Sequence, residues 1–245
     1  MRLLTWNIHK GIGSIDRRYN LDRVVEVIRY YDSDVVVLQE VDDGVPRSGS
    51  DSQAEKLADV LGYPHFHFGP NVTLKRGCYG NATLSRFPVS RRCNIDLTFP
   101  GKKARGGLYT ELRAQANGHR LRLHLVNVHL GLSGMERRWQ IRRLLECDEL
   151  TRLERASRIV IAGDTNDWSG ALARGRLREA GFECVTGVGR RASLTFPSWQ
   201  PVGALDRVFA RGTIDCEHYR RARLAMAFQA SDHLPVVVDI SLLAT

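Results

Sequence analysis

The stretch Arg158–Asn166 reads R-I-V-I-A-G-D-T-N. Ile159, Val160, Ile161 and Ala162 form a short apolar run rich in β-branched side chains. Such a run predicts a strand buried on both faces. Gly163 ends it, where the chain can turn tightly. Asp164 and Asn166 follow at once. Side chains alternate along extended backbone, so these two point the same way. A carboxylate and a carboxamide then stand together at the carboxyl end of a central strand, where α/β sheets hold their ligands. Taken alone, the pair reads equally well as a helix cap and a turn residue. The other strand ends decide between the two.

Upstream, Arg2–Ile8 reads as a first strand running into N-I-H-K-G. Asn20 is placed to cap a helix to about Tyr31, with Leu21, Val24, Val25 and Ile28 at helical spacing. Asp34–Glu40 is a second apolar strand that ends in a carboxylate. Ser52-x-x-Glu55 reads as a capping box, with Gly62 as the helix stop. Tyr63–Phe68 and Gly80–Arg86 read as strands. Leu108–Ala116 and Arg120–Leu130 read as a hairpin turning at Asn117-Gly118. Ser133-x-x-Glu136 opens the longest helix, expected to reach about Glu154, and another is expected near Ala171–Ala180. Strands are expected at Leu205–Ala210, around Ala222–Phe228 and at Val236–Leu242. Strands interleaved with helices and hairpins predict mixed sheets, and two packed sheets with helices outside suit the length.

The polar ends of the apolar runs form a pattern. The first strand delivers Asn7 and His9, the second Glu40, and the Leu123–His129 run delivers Asn127 and His129. Asp164 and Asn166 close the central run, Asp206 heads L-D-R-V-F, and Ser231-Asp232-His233 precedes the last strand. Singly, each has a plain structural explanation; a lone His129 or His233 is more often a satisfied core histidine. Together they are all oxygen ligands, amides or imidazoles. Such a set selects a hard cation, Mg²⁺ or Mn²⁺, which keeps waters and needs few carboxylates. Glu40 and Asp232, with Asn7, suit that. Zinc-type Cys/His spacing, a G-x-x-x-x-G-K loop and a G-x-S-x-G elbow are absent from the sequence.

The 245 residues carry no linker or low-complexity tract, which predicts one domain spanning residues 1–245. No apolar run approaches membrane-spanning length, and the expectation is a soluble, cytoplasmic monomer. Five scattered cysteines predict reduced packing residues rather than a disulfide framework. The net charge of +9 favours a polyanionic partner, nucleic acid or an acidic membrane face. Arg pairs on solvated helix faces explain part of that excess.

T-W-N-I-H-K-G, L-Q-E-V, G-N-A-T-L-S-R-F-P, V-N-V-H-L, A-G-D-T-N, L-D-R-V-F and S-D-H-L-P occur in this order between Thr5 and Val238. The set closely resembles the endonuclease/exonuclease/phosphatase family, which includes DNase I, abasic-site endonucleases, neutral sphingomyelinases and inositol-polyphosphate 5-phosphatases. It looks nearest to a small bacterial branch with the same W-N-I-H-K-G start. The resemblance implies a four-layer α/β sandwich, two mixed β-sheets flanked by helices, with a cleft at one edge. It implies that Glu40, helped by Asn7 and Asp232, holds the metal. It gives Asp164 the attacking water, with Asn166 helping to hold water and phosphate. It gives His233, oriented by Asp206, a phosphoryl oxygen, His129 the leaving-oxygen side, and Asn81 a donor to phosphate.

Departures narrow the class. His129 stands where abasic-site endonucleases typically carry Tyr, and is closer to the DNase I and sphingomyelinase patterns. His9 occupies a position where some family nucleases have Asp. Thr165 replaces the common Phe of G-D-F-N and faces away from the Asp/Asn pair. The added motifs of the 5-phosphatases are missing. The expected activity is a Mg²⁺- or Mn²⁺-dependent phosphodiesterase acting on nucleic acid, with Arg17-Arg18 and Lys102–Arg105 as flanking phosphate contacts. A lipid-headgroup or small-molecule phosphodiesterase is the alternative, and a non-catalytic binding module the third.

Overall fold

The computed structural model describes residues 1–116 and 119–243. Two mixed six-stranded sheets stack face to face. The first contains β1 (Arg2–Asn7), β2 (Val35–Asp43), β3 (His65–Thr73), β4 (Cys78–Ser85), β11 (Ile214–Arg221) and β12 (Val236–Leu242), in the order β11-β12-β1-β2-β4-β3. The second contains β5 (Val89–Asp96), β6 (Gly106–Ala116), β7 (His119–His129), β8 (Ile159–Asp164), β9 (Glu183–Cys184) and β10 (Asp206–Arg211), in the order β5-β6-β7-β8-β10-β9.

Helices cover the two outer faces. Leu4, Trp6, Val36 and Leu38 meet α1 (Leu21–Tyr31), α2 (Gln53–Leu61) and α6 (Ala225–Ala230). On the far side, Val126, Val128, Ile161 and Phe209 meet α3 (Gly134–Leu145), α4 (Asp148–Thr151) and α5 (Arg176–Glu179). The alternate residues Leu3, Val35, Val37, Leu123, Leu125, Val160, Ala162 and Val208 pack between the sheets. That is the expected four-layer sandwich.

The period-two alternation also locates the polar residues. Leu3-x-Thr5-x-Asn7, Leu125-x-Asn127-x-His129, Val160-x-Ala162-x-Asp164 and Asp206-x-Val208 each place their polar members in the row that faces the opposite sheet. The inter-sheet layer is therefore apolar in the middle and polar at one end. There Asn127 ties the sheets together. Its Nδ2 donates to Leu38 O at 2.9 Å and Ala82 O at 2.8 Å, and its Oδ1 accepts from Gln39 Nε2 at 2.7 Å.

Several expectations are corrected. Gly163 is not a turn but a strand residue paired with Val128, at φ 144°. A Cβ there would run into Val128 O, so close approach of β7 requires glycine. Ser52 forms no side-chain cap, whereas Asn20 and Ser133 do. The long helix stops at Leu145 because Cys147 is extended, and resumes only as α4. The helix expected near Ala171–Ala180 shrinks to α5. The segment around Ala222–Phe228 is not a strand; it leads into α6, and β11 precedes it. β5 escaped the reading of the sequence. Both β5 and β11 are exposed, charged edge strands without the apolar run that marks buried ones. The turn expected at Asn117-Gly118 lies outside the described residues.

Asn127→Ala would take the amide donor from two strand carbonyls in the dry interior and remove the shortest hydrogen bond of the Gln39 amide. A loss of about 2–6 kcal/mol in unfolding free energy is expected, two unmet carbonyls at roughly 1–3 kcal/mol each. Denaturant titration checks it, and a change within about 0.5 kcal/mol would rule out the proposed tie.

Candidate active site

Strand register builds the centre of the site. Asp164 ends β8, and His129 lies opposite it on parallel β7. Asp206 lies opposite it on antiparallel β10. Three polar side chains thus stand abreast, facing the other sheet. Asn7, from β1 across the gap, donates its Nδ2 to Asp164 Oδ2 at 3.1 Å. His129 Nε2 lies 3.4 Å and His233 Nε2 3.7 Å from the same oxygen. The backbone N–H of Asn166 donates to Asp164 Oδ1 at 3.0 Å. Asp164 is the hub of the arrangement.

His233 and Asp206 form the expected pair. His233 Nδ1 lies 2.8 Å from Asp206 Oδ2, which also accepts from Thr195 Oγ1 at 2.6 Å. Phe196 packs against the imidazole with centroids 4.8 Å apart. The segment holding His233 is pinned by Ser231 Oγ, which donates to Asn7 O at 2.7 Å and accepts from His233 N at 3.1 Å. Trp6 Nε1 donates to His233 O at 2.8 Å.

The two histidines are driven apart. Burial alone would lower His233, but the charges of Asp206 and Asp164 outweigh it and raise it to about 10. His129 is lowered well below its ordinary value by burial, with the Arg105 guanidinium adding to the effect. One imidazole is a cation and the other neutral. Burial raises Asp164 to about 6, with Asp206 adding to it against the opposing charge of His233.

Glu40 forms the outer part of the site. A bulge in β2 between Leu38 and Val41 holds Glu40 at φ 54°, which turns it out of the regular pleat. Its carboxylate pairs with Lys10 Nζ. Burial would raise Glu40, but the Lys10 ammonium beside it holds it down at about 2. His9, Lys10 and Asn166 also adopt left-handed backbone, at φ 47°, 64° and 49°. Non-glycine residues rarely do so, and here they gather around one site. Asp232 is half-buried beside them, its Oδ1 accepting from Ser231 Oγ at 3.4 Å.

The donor set fits a hard divalent cation. Among the described residues no group of three or more His, Cys, Asp or Glu side chains gathers in metal-holding geometry. Glu40, by contrast, is a largely buried carboxylate kept ionised, and the Lys10 ammonium already stands beside it as a cation. One such oxygen ligand plus waters suits a hard divalent cation.

Some residues take other roles than expected. Asn81 cannot serve as the phosphate donor, because its Nδ2 already donates to Gly106 O at 3.0 Å and Asn127 O at 3.1 Å. It bridges the sheets instead. Asn166 directs Nδ2 to Leu130 O at 2.9 Å, and acts on Asp164 through its backbone N–H. Thr165 faces away, as expected, donating Oγ1 to Leu205 O at 2.8 Å. Arg17 and Arg18 are exposed on their loop, whereas Arg105 is buried close enough to depress His129. The sequence reading missed Lys10 and Thr195. Lys10 sits inside the quoted W-N-I-H-K-G, so its position was visible although its partner was not.

Residues 4–233 match the model of the Endonuclease/Exonuclease/phosphatase family. The uncharacterized protein YbhP of Escherichia coli K12 is 31% identical over 249 residues, covering 98% of this chain and 96% of its own. A Beutenbergia cavernae endonuclease/exonuclease/phosphatase superposes with a TM-score of 0.78 at 24% identity, covering 99% of this chain and 71% of the other. D. rerio TDP2, complexed with a single strand DNA product, gives 0.70 at 20% identity, covering 98% of each chain. A Bacteroides thetaiotaomicron mannosyl-6-phosphatase gives 0.70 at 14% identity, covering 98% of this chain and 99% of the other. At these identities the structures show a shared fold.

The raised His233 predicts a pH signature. Its charge adds stability that is complete below its ordinary value near 6.5 and fades as pH rises through about 10. In metal-free protein, the Tm advantage of wild type over Asp206→Asn is expected to be full near pH 6 and to shrink towards pH 10. A constant gap across that range would mean the pair is not charged.

Proposed function

The chain belongs to the endonuclease/exonuclease/phosphatase family, whose members are phosphoesterases, and on that basis we propose that it is a divalent-metal-dependent phosphodiesterase acting on nucleic acid. The observation that carries the chemistry is Asp164: a buried carboxylate raised above its ordinary value, hydrogen-bonded by the Asn7 carboxamide and the Asn166 N–H and flanked by two imidazoles, one charged and one neutral. A base of that strength suits proton removal from water near neutral pH.

Asp164, its carboxylate oriented by Asn7 and the Asn166 backbone, takes the proton of the attacking water. The His233 imidazolium, oriented by Asp206 and Thr195, donates through Nε2 to a phosphoryl oxygen as negative charge builds. His129, neutral, faces the phosphate near the leaving oxygen. Arg105 takes the donor role that Asn81 cannot fill, since its buried Nε has no protein partner. Glu40 with Asn7 and Asp232 would hold a divalent cation, which when bound supplies charge neutralisation for the phosphate and the leaving oxygen. The nucleic-acid preference rests on the net charge of +9. A lipid-headgroup substrate is the second reading. Leu132, Trp168 and Trp199, exposed on loops, and Met135, exposed in the first turn of α3, favour it, since they adjoin the His129, Asp164 and His233 segments.

Hydrolysis is expected to stop in EDTA and return with Mg²⁺ or Mn²⁺ across a panel of plasmid DNA, RNA, oligonucleotides and phospholipid vesicles. Full turnover in metal-free protein would overturn the reading. His233→Ala and Asp164→Asn are each expected to lower kcat on the order of a hundredfold or more while leaving the fold intact.

Lys10 competes with a cation for Glu40. Lys10→Met should therefore tighten Mn²⁺ binding severalfold by titration calorimetry, and Glu40→Gln should weaken it. Unchanged Mn²⁺ affinity in Lys10→Met would remove Lys10 from the site.

A further inference from the structure

A second basic feature lies along the free edge of β11, away from Asp164 and Glu40. A groove of about 800 Å³ runs between the end of α1 and residues 192–194, with β11 between them. Arg2, Arg220, Arg221 and Arg223 line it, together with Tyr30 and Tyr219. Asp239 accepts Arg2 Nε at 2.7 Å and lies 3.3 Å from Arg220 Nη1, so one carboxylate serves two guanidinium groups. Arg221 donates only to a neutral group, Leu194 O, at 3.0 Å. Among the described residues, neither Arg221 nor Arg223 has a carboxylate within ion-pair distance. The groove therefore carries unbalanced positive charge.

The tyrosines are held in place. Tyr30 is 67% exposed, with its ring braced edge-on against Tyr31 at 5.1 Å. Tyr219 is anchored by its hydroxyl, which donates to Arg191 O at 3.0 Å. Fixed aromatic faces interleaved with free guanidinium groups are what a flexible single strand requires, stacking for its bases and cations for its phosphates. A bilayer surface is flat and would not enter a concave groove.

Short stretches of chain link the groove to the active site. Leu194, held by Arg221, immediately precedes Thr195, whose hydroxyl holds Asp206. Arg221 pairs with Val236, three residues beyond His233, about 10 Å along extended backbone.

We propose that this groove is a binding site for the single-stranded nucleic acid flanking the scissile phosphate, gripped by Arg220, Arg221 and Arg223 and stacked on Tyr30 and Tyr219. The proposal rests on the phosphodiesterase reading of the Asp164 site and extends it to a substrate class. It predicts longer strands to be preferred over dinucleotides, because only they span both features.

The test compares wild type with the triple variant Arg220→Ala/Arg221→Ala/Arg223→Ala and with the single variant Arg223→Glu. Arg223 is exposed, so its replacement leaves the core untouched. Binding of a fluorescent dT20 strand is measured across a salt series, beside hydrolysis of bis(p-nitrophenyl) phosphate with Mn²⁺. The triple variant is expected to bind dT20 at least tenfold more weakly and to flatten the log–log salt slope by about 2. That slope change is three phosphate contacts at roughly 0.7 each. Arg223→Glu should shift both in the same direction and should hydrolyse the small ester at the wild-type rate. Unchanged dT20 affinity and slope in both variants would overturn the groove. So would loss of binding to phosphatidylglycerol vesicles in place of dT20. Failure of wild type to hydrolyse the small ester counts against the Asp164 reading, whereas the salt slopes judge the groove.

Discussion

The site depends on how the two sheets are held against each other, and Asn127 sets that relation. Its amide group reaches from β7 to two carbonyls of the opposing sheet while accepting from Gln39. Two residues further along β7 is His129, and next to Gln39 is Glu40. A polar tie at that point fixes the distance between a neutral imidazole on one sheet and the Glu40 carboxylate on the other. Asn81 adds a second tie to the same layer. An apolar layer alone would let the sheets slide, because dispersion contacts are non-directional, whereas a buried amide accepts only one geometry without loss.

Given that frame, the electrostatics follow from position. Asp164 and Asp206 are direct neighbours across β8 and β10. Two buried carboxylates side by side repel, and the structure relieves this with the His233 cation bonded to one and 3.7 Å from the other. Asp164 then keeps a raised affinity for a proton while Asp206 is committed to His233. His129 lies on the other flank of Asp164 beside Arg105, so a second cation there is disfavoured. Similar side chains acquire different roles from their neighbours alone.

Much of this was legible from residue order. The alternation of Leu123-x-Leu125-x-Asn127-x-His129 or Val160-x-Ala162-x-Asp164 identifies buried strands and shows which polar residues share a face. The motifs T-W-N-I-H-K-G to S-D-H-L-P carried the four-layer architecture. What stayed hidden depends on partners distant in sequence. Nothing local distinguishes Asn127, an inter-sheet tie, from Asn7, which touches Asp164. Asn81 appeared to be a phosphate donor because its two acceptors, Gly106 and Asn127, lie on strands far along the chain. Thr195 is an unremarked hydroxyl until Asp206 folds against it. The edge strands β5 and β11 escaped because exposed strands carry charge instead of an apolar run.

The left-handed residues join these threads. Glu40, His9, Lys10 and Asn166 all have positive φ; Lys10 pairs with Glu40, Asn166 donates to Asp164, and His9 donates its N–H to Asn7. Backbone of this kind costs on the order of 1–3 kcal/mol at a non-glycine residue and persists only where its surroundings over-determine it. For Glu40 the constraint is the β2 bulge. For Lys10 it is the Gln53 side chain, whose Nε2 donates to Lys10 O at 2.7 Å while its Oε1 accepts from Asp42 N at 2.7 Å, just beyond that bulge. Gln53 thus clamps the Lys10 turn and the Glu40 bulge to each other, from a helix that supplies nothing else to the site. The ammonium and the carboxylate are brought together by backbone restraint as much as by their mutual attraction. A cation that takes the place of Lys10 at Glu40 therefore meets a carboxylate already aimed and already ionised, which lowers the ordering cost of binding it.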